Sequence, residues 1–152
     1  MTRLHEEIET ALALDVAFPF VADFANSSRW DPGVQSSERL DPGPLAVGAR
    51  YRLMVRMGGR FAPMEYRISE MEPMRRVVLV GSGSGVSAVD EIRFERSGTG
   101  THIDYTADIR LGGLLRLAQP FLGGSFRKIA KDALAGMERT LNEMAAREAA
   151  GS

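Results

Sequence analysis

Polar and apolar side chains alternate along much of the middle of this chain. Between Arg50 and Met57, the residues Tyr51, Leu53, Val55 and Met57 share one parity, with Arg52 and Arg56 on the other. In residues 61–71, Met64, Tyr66 and Ile68 oppose Glu65, Arg67 and Ser69. A period of two marks a strand with one buried face. Gly58-Gly59 between these runs predicts a tight hairpin, because primed turns need positive φ. Pro63 then belongs near a strand start or at an unpaired edge position. Three further strands are expected at residues 77–80, 86–96 and 101–111, divided by Glu72-Pro73, by the glycine–serine run 81–85 and by Ser97-Gly98-Thr99-Gly100. In 86–96 the apolar parity holds Ala88, Asp90, Ile92 and Phe94; in 101–111 it holds Ile103, Tyr105, Ala107 and Ile109.

Helical spacing takes over in two regions. Residues 15–23 read as a short helix with Asp15 as N-cap; Pro19 is near the limit of what a first turn accepts, which favours a later start. Residues 26–30 could add a second short helix. From about Ser125, Phe126, Ile129, Ala133, Met137, Leu141 and Met144 recur at helical intervals. Ser125 could cap this helix, and 145–152 reads as a fraying tail. Residues 114–122 continue the apolar pattern upstream, with Pro120 and Gly123-Gly124 expected to kink or interrupt it. Strands at 3–12 and 34–39 complete the order. The fold expected is α+β, in one domain over 1–152: a curved antiparallel sheet of about six or seven strands, ordered β-α-α-β-meander-α. A helix over about 125–147 spans roughly 35 Å, as long as ten-residue strands, so it is expected to line the whole concavity.

Composition narrows the chemistry. With 152 residues the chain is long enough for a core of its own, and zero Cys removes disulfides, thiolate metal sites and cysteine nucleophiles. Lys and Arg number 19 against 20 Asp and Glu, without the basic excess of a nucleic-acid binder. Acidic residues follow the start at once, and the apolar stretch 11–24 is interrupted by Asp15 and Pro19 and too short to span a bilayer. A cytoplasmic protein without stable membrane insertion is expected.

Gly83-Ser84-Gly85-Val86-Ser87-Ala88 fits a dinucleotide-binding pattern, but such a site needs a helix to start there, and residues 86–96 alternate like a strand. His5 and His102 share parities with charged residues, so they are expected on the wet face; neither a metal site nor a cofactor is expected. Asp90 differs, because its parity turns a carboxylate toward the apolar side. Desolvation there would raise its pKa and suit it to general acid/base work, or to holding a ligand hydroxyl. Tyr51, Tyr66 and Tyr105 share the inward parity, each offering a ring and one hydroxyl. Trp30 is a candidate for closing the short-helix end of the hollow. Leu114, Leu115, Leu117, Phe121 and Leu122, loosened by Pro120 and Gly123-Gly124, could form a movable lid or a membrane-touching entrance, or pack under the first helices. Leu53, Val55, Met64, Ile68, Ile92, Ile103, Ile129 and Met137 are expected to line the hollow.

The segment Ala17-Phe18-Pro19-Phe20-Val21-Ala22-Asp23-Phe24 leading to Ser28-Arg29-Trp30-Asp31-Pro32 resembles the START-like (SRPBCC) helix-grip superfamily. The likeness is to its branch of polyketide cyclases, dehydrases and lipid-transport proteins. Gly48-Ala49-Arg50-Tyr51 opening one strand, Phe94-Glu95 before a glycine turn and Gly100-Thr101-His102-Ile103 opening the next strand carry the same resemblance, which covers nearly the whole chain. It implies a deep, mostly apolar cavity between sheet and terminal helix; a small hydrophobic ligand as partner, and a monomer or homodimer, are expected. Members include carriers, cyclases, hydroxylase subunits and interaction modules. The first expectation is therefore binding or transport of a lipid, polyketide or polycyclic metabolite. The alternatives are a cyclase, aromatase or dehydratase using Asp90, and a protein-interaction module.

Overall fold

Seven strands form one antiparallel sheet in the computed structural model, which describes residues 1–151. In chain order they are β1 (Thr2–Thr10), β2 (Val34–Arg39), β3 (Arg50–Met57), β4 (Arg60–Glu72), β5 (Arg76–Gly83), β6 (Val86–Ser97) and β7 (Gly100–Leu111). Helices α1 (Leu14–Ala22) and α2 (Ser27–Trp30) lie between β1 and β2, joined by a 3₁₀ turn at Phe24–Asn26. A 3₁₀ segment (Gly113–Phe121) and the long helix α3 (Gly123–Ala150) follow β7. The sheet runs β1-β7-β6-β5-β4-β3-β2, so β1 returns beside the last strand and both chain-early strands are edges.

The hairpins follow from their turn residues. Met57 pairs with Arg60 around Gly58, whose φ is 65°, and Gly83 pairs with Val86 around Ser84 and Gly85, with φ of 53° and 80°. Two successive positive φ values make a primed turn, which matches the strand twist. Pro63 sits in the part of β4 that precedes the β5 ladder, whose first pair is Glu65 with Ser82. Register shifts between Val34 and Ser36 and between Ile68 and Glu70 add local bends to the sheet.

One face of the sheet is wet and the other carries the core: Tyr51, Ile68, Leu79, Ile92 and Ile103 are fully buried. Across it lie α1, the 3₁₀ turn, α2 and α3. Gly136 explains how closely α3 approaches α2, since a side chain there would run into the Trp30 carbonyl oxygen and Pro32. Farther along α3, Asn142 Oδ1 accepts from Thr10 Oγ1 (2.8 Å) and from the Ala11 amide (3.0 Å), tying the helix to the end of β1.

Several local expectations need correction. Helix α1 starts earlier than Pro19 suggested: the Ala13 carbonyl accepts from Val16 and Ala17, and Pro19 lies inside the helix. Asp15 is in the first turn, where it favours the positive end of the dipole, and caps nothing. Helix α3 begins at Gly123, without a side-chain cap at Ser125, and continues to Ala150 through the expected tail. Most consequential is its coverage. Its buried residues are Ala133, Leu134, Gly136, Met137 and Leu141, and none of residues 123–132 is buried. The helix lies against β1 and α2, so the concave face is not lined along its full length. At the uncovered end the inward-facing Val55, Met57, Val86, Ala107 and Ile109 remain half-buried.

Candidate functional site

Asp90 is the one acidic side chain buried by the apolar parity of the meander. In the β6–β7 ladder it stands opposite Ala107, while Ile92 stands opposite Tyr105. Tyr105 is thus its diagonal neighbour on the same face, within reach of a long side chain. The Tyr105 hydroxyl donates to Asp90 Oδ2 at 2.5 Å. Burial drives the Asp90 carboxyl up from 3.8 to about 7; the Tyr105 hydrogen bond opposes this, and the charges of Asp31 and Asp108 add to it. Burial, and then the Asp90 charge, hold the Tyr66 and Tyr105 hydroxyls well above their usual range.

Aromatic rings surround this pair. Phe24, delivered by the 3₁₀ turn, lies 5.3 Å from Tyr66, 6.3 Å from Trp30 and 6.5 Å from Tyr51, centroid to centroid. Trp30 in turn lies 6.4 Å from Tyr105, edge to face. Gly81 opposite Tyr66 makes room for that ring, since a side chain at Gly81 would strike it. Two donors in this nest have no hydrogen-bond partner among the described residues: Trp30 Nε1 and Tyr51 Oη. Burial raises the Tyr51 pKa. The Asp23 carboxylate is near enough to add to that rise, although no hydrogen bond of sound geometry joins them.

A second carboxyl belongs to the same region. Asp31 ends α2 and accepts from the Gly33 amide at 2.8 Å. Burial pushes it up to about 6, the Gly33 amide opposes, and Asp132 adds to the rise; its charge is felt at Asp90, Tyr66 and Tyr105. Periodicity singles out neither Asp31 nor Phe24, which enter the sequence pattern only within the segments that carry the family resemblance. A carboxylate directly after a buried tryptophan at a helix end was the available signal.

Of the expected lining, Trp30, Tyr51, Leu53, Met64, Tyr66, Ile68, Ile92, Ile103, Tyr105 and Met137 are buried in one connected cluster, with Val55 half-buried against it. Two expectations are corrected. Phe121 is 86% exposed and Ile129 44% exposed, because the first turns of α3 and the 3₁₀ segment before it do not cover the sheet. On the outer face His5 Nε2 donates to Asp104 Oδ1 (2.8 Å), and His102 contacts Glu9 (2.7 Å) and Glu7 (3.1 Å). Ligand atoms of His5, Glu7 and Asp104 there lie within 4.8 Å of one another. Two outer clefts, of about 180 and 540 Å³, are lined by residues such as Leu14, Arg96 and Gly100, and Glu7, Arg76 and His102; neither contains Asp90.

A curved seven-stranded antiparallel sheet partly covered by a long terminal helix is an α+β helix-grip fold. The model of the family described as polyketide cyclase / dehydrase and lipid transport matches residues 1–142, and the chain belongs to that family. Solved structures agree on the fold. A START superfamily protein from Mycobacterium smegmatis superposes with a TM-score of 0.74 at 13% identity, over 97% of this chain and 99% of that one. The Zhui aromatase/cyclase from Streptomyces sp. R1128 gives 0.71 at 15%, over 97% and 94%. The protein TTHA0849 from Thermus thermophilus gives 0.76 at 14%, over 91% and 96%. No curated protein sequence matches the chain. Among the described residues, no helix is long and apolar enough to cross a membrane.

Proposed function

We propose that the protein binds a small hydrophobic ligand of lipid, polyketide or polycyclic type between the sheet and α3, with Asp90 and Tyr105 as its polar anchor. The observation that carries this reading is a pair of buried donors, Trp30 Nε1 and Tyr51 Oη, that have no hydrogen-bond partner among the described residues and lie in the ring nest beside Asp90. An unsatisfied buried donor costs about 1–3 kcal/mol, which a ligand carbonyl or hydroxyl would offset. Rings and methionines supply an apolar wall that can re-pack around a guest. The way in is the end where Val55, Met57, Val86, Ala107 and Ile109 are half-buried. Trp30 is the only tryptophan, so its fluorescence reports on the site. Titration with fatty-acid and polycyclic aromatic probes is expected to quench it saturably, with one ligand per chain in native mass spectrometry. Failure of every probe to bind would remove the proposal.

A second reading is favoured by one observation, the rise of the Asp90 carboxyl to about 7. A group titrating near neutral pH can both take and give a proton, as a cyclase, aromatase or dehydratase acting on a polyketide-like substrate requires. The likeness to an aromatase/cyclase fold is compatible with it. On this reading Asp90→Asn abolishes turnover while affinity stays within a few fold. On the carrier reading the same substitution weakens binding and no conversion is detected.

A further inference from the structure

The segment Gly113–Phe121 is inside out. Its only buried residue is polar: Gln119 accepts from the Leu111 amide (3.2 Å) and donates to the Ile109 carbonyl (2.7 Å) and to Thr2 Oγ1 (3.1 Å). Its large apolar side chains point away, with Leu114 87%, Leu117 71% and Phe121 86% exposed and Leu115 47%. Ile129, on the uncovered first turns of α3, extends the same character. A single exposed leucine needs no explanation, but several within one short segment mark an interaction surface.

Charge identifies the partner. From residue 109 to 131 the chain carries Arg110, Arg116, Arg127, Lys128 and Lys131 and no aspartate or glutamate, in a protein with 19 basic and 20 acidic residues overall. Among the described residues only Lys128 of this set has a carboxylate partner, Asp132 at 2.9 Å. Exposed leucine and phenylalanine with flanking uncompensated cations is the composition that lies in a lipid–water interface, apolar tips below the headgroups and cations level with anionic phosphates. A nucleic-acid surface would have used the cations and had no need of the leucines. The segment also adjoins the β5–β6 turn, where the Gly112 amide donates to the Gly85 carbonyl (2.8 Å) and Leu115 lies against Gly85, next to the half-buried Val86.

We propose that residues 113–121 and the first turns of α3 form a docking surface for a bilayer containing anionic lipid. This stands on the exposed rim alone and does not depend on what the interior binds. The test is co-sedimentation of the full chain with vesicles of phosphatidylcholine alone and of phosphatidylcholine mixed with phosphatidylserine. Binding to the mixed vesicles is expected, at least about tenfold tighter than to the neutral ones and weakened by salt. The variant Leu114→Ser, Leu117→Ser, Phe121→Ser is expected to lose it. Arg116→Gln, Arg127→Gln, Lys131→Gln should weaken it by about fivefold per cation, roughly a hundredfold in all. All six side chains lie on exposed residues and Gln119 is left intact, so the melting temperature should not move. Hydrogen exchange on the unaltered protein gives an independent reading: amides of 113–131 should become protected when the mixed vesicles are added. No binding to either vesicle, equal binding to both, or retention of binding by the serine variant would overturn the proposal. So would self-association or capture of an acidic protein through these residues in the absence of any lipid binding.

Discussion

Asp90→Asn gives a stability prediction whose size follows from burial. In the folded protein the carboxyl keeps its proton up to about pH 7, whereas in the unfolded chain it releases it near 3.8. Between those values the folded state binds more protons than the unfolded, so stability falls as pH rises through the window and then levels off. The gap, at about 1.4 kcal/mol per tenfold change in proton affinity, amounts to about 4 kcal/mol, an upper figure because local opening can solvate the carboxylate. Asparagine keeps an oxygen to accept from Tyr105 and has nothing to titrate. The two proteins should therefore match near pH 4, and the asparagine variant should be the more stable by up to about 4 kcal/mol above pH 7. The carboxylates whose partners pull them the other way, among them Asp108 beside Arg3 and Asp41 beside the Arg50 amide, are present in both proteins and cancel in the difference. Urea unfolding followed by Trp30 fluorescence from pH 4 to 9 measures it; with a slope of about 2 kcal/mol/M the midpoints should separate by about 2 M. Parallel curves across that range, or a less stable variant at pH 8, would refute the argument that Asp90 is held protonated by its surroundings.

The uneven coverage by α3 predicts a contrast along one helix. Leu141→Ala should cost about 2–5 kcal/mol, while Ile129→Ala should stay within about 0.5 kcal/mol; similar costs would mean that the first turns pack after all. Gly81→Ala forces a methyl into the Tyr66 ring, and should cost about 1–3 kcal/mol and change the quenching of Trp30 by bound probes; a neutral effect on both would show that the ring is free to move. Gln119→Ala leaves the buried Leu111 amide without its acceptor. It should cost about 1–3 kcal/mol and speed hydrogen exchange at residues 111–121 while residues 133–141 of α3 stay protected. Unchanged exchange at 111–121 would mean that Gln119 does not anchor the segment.

The strands and hairpins were legible because their causes are local. Alternation is imposed by the backbone pleat within a few residues, and Gly58, Gly85 and Gly98 mark turns wherever they sit. The same parity turned Asp90 and the three tyrosines to the apolar face before any partner was known. Tertiary structure alone decided what those side chains meet. Phe24 and Asp31 reach the nest from a 3₁₀ turn and a helix end, where no period applies. That Trp30 Nε1 and Tyr51 Oη have no partner among the described residues follows from how separate elements pack. Ile129 and Phe121 mark the limit of pattern: helical spacing identifies a stripe, but whether a surface lies opposite depends on the path of a helix held by Gly136 and Asn142, far along the chain from the turns it leaves exposed. Periodicity is a property of neighbours in sequence, and burial of a particular side chain is a property of neighbours in space.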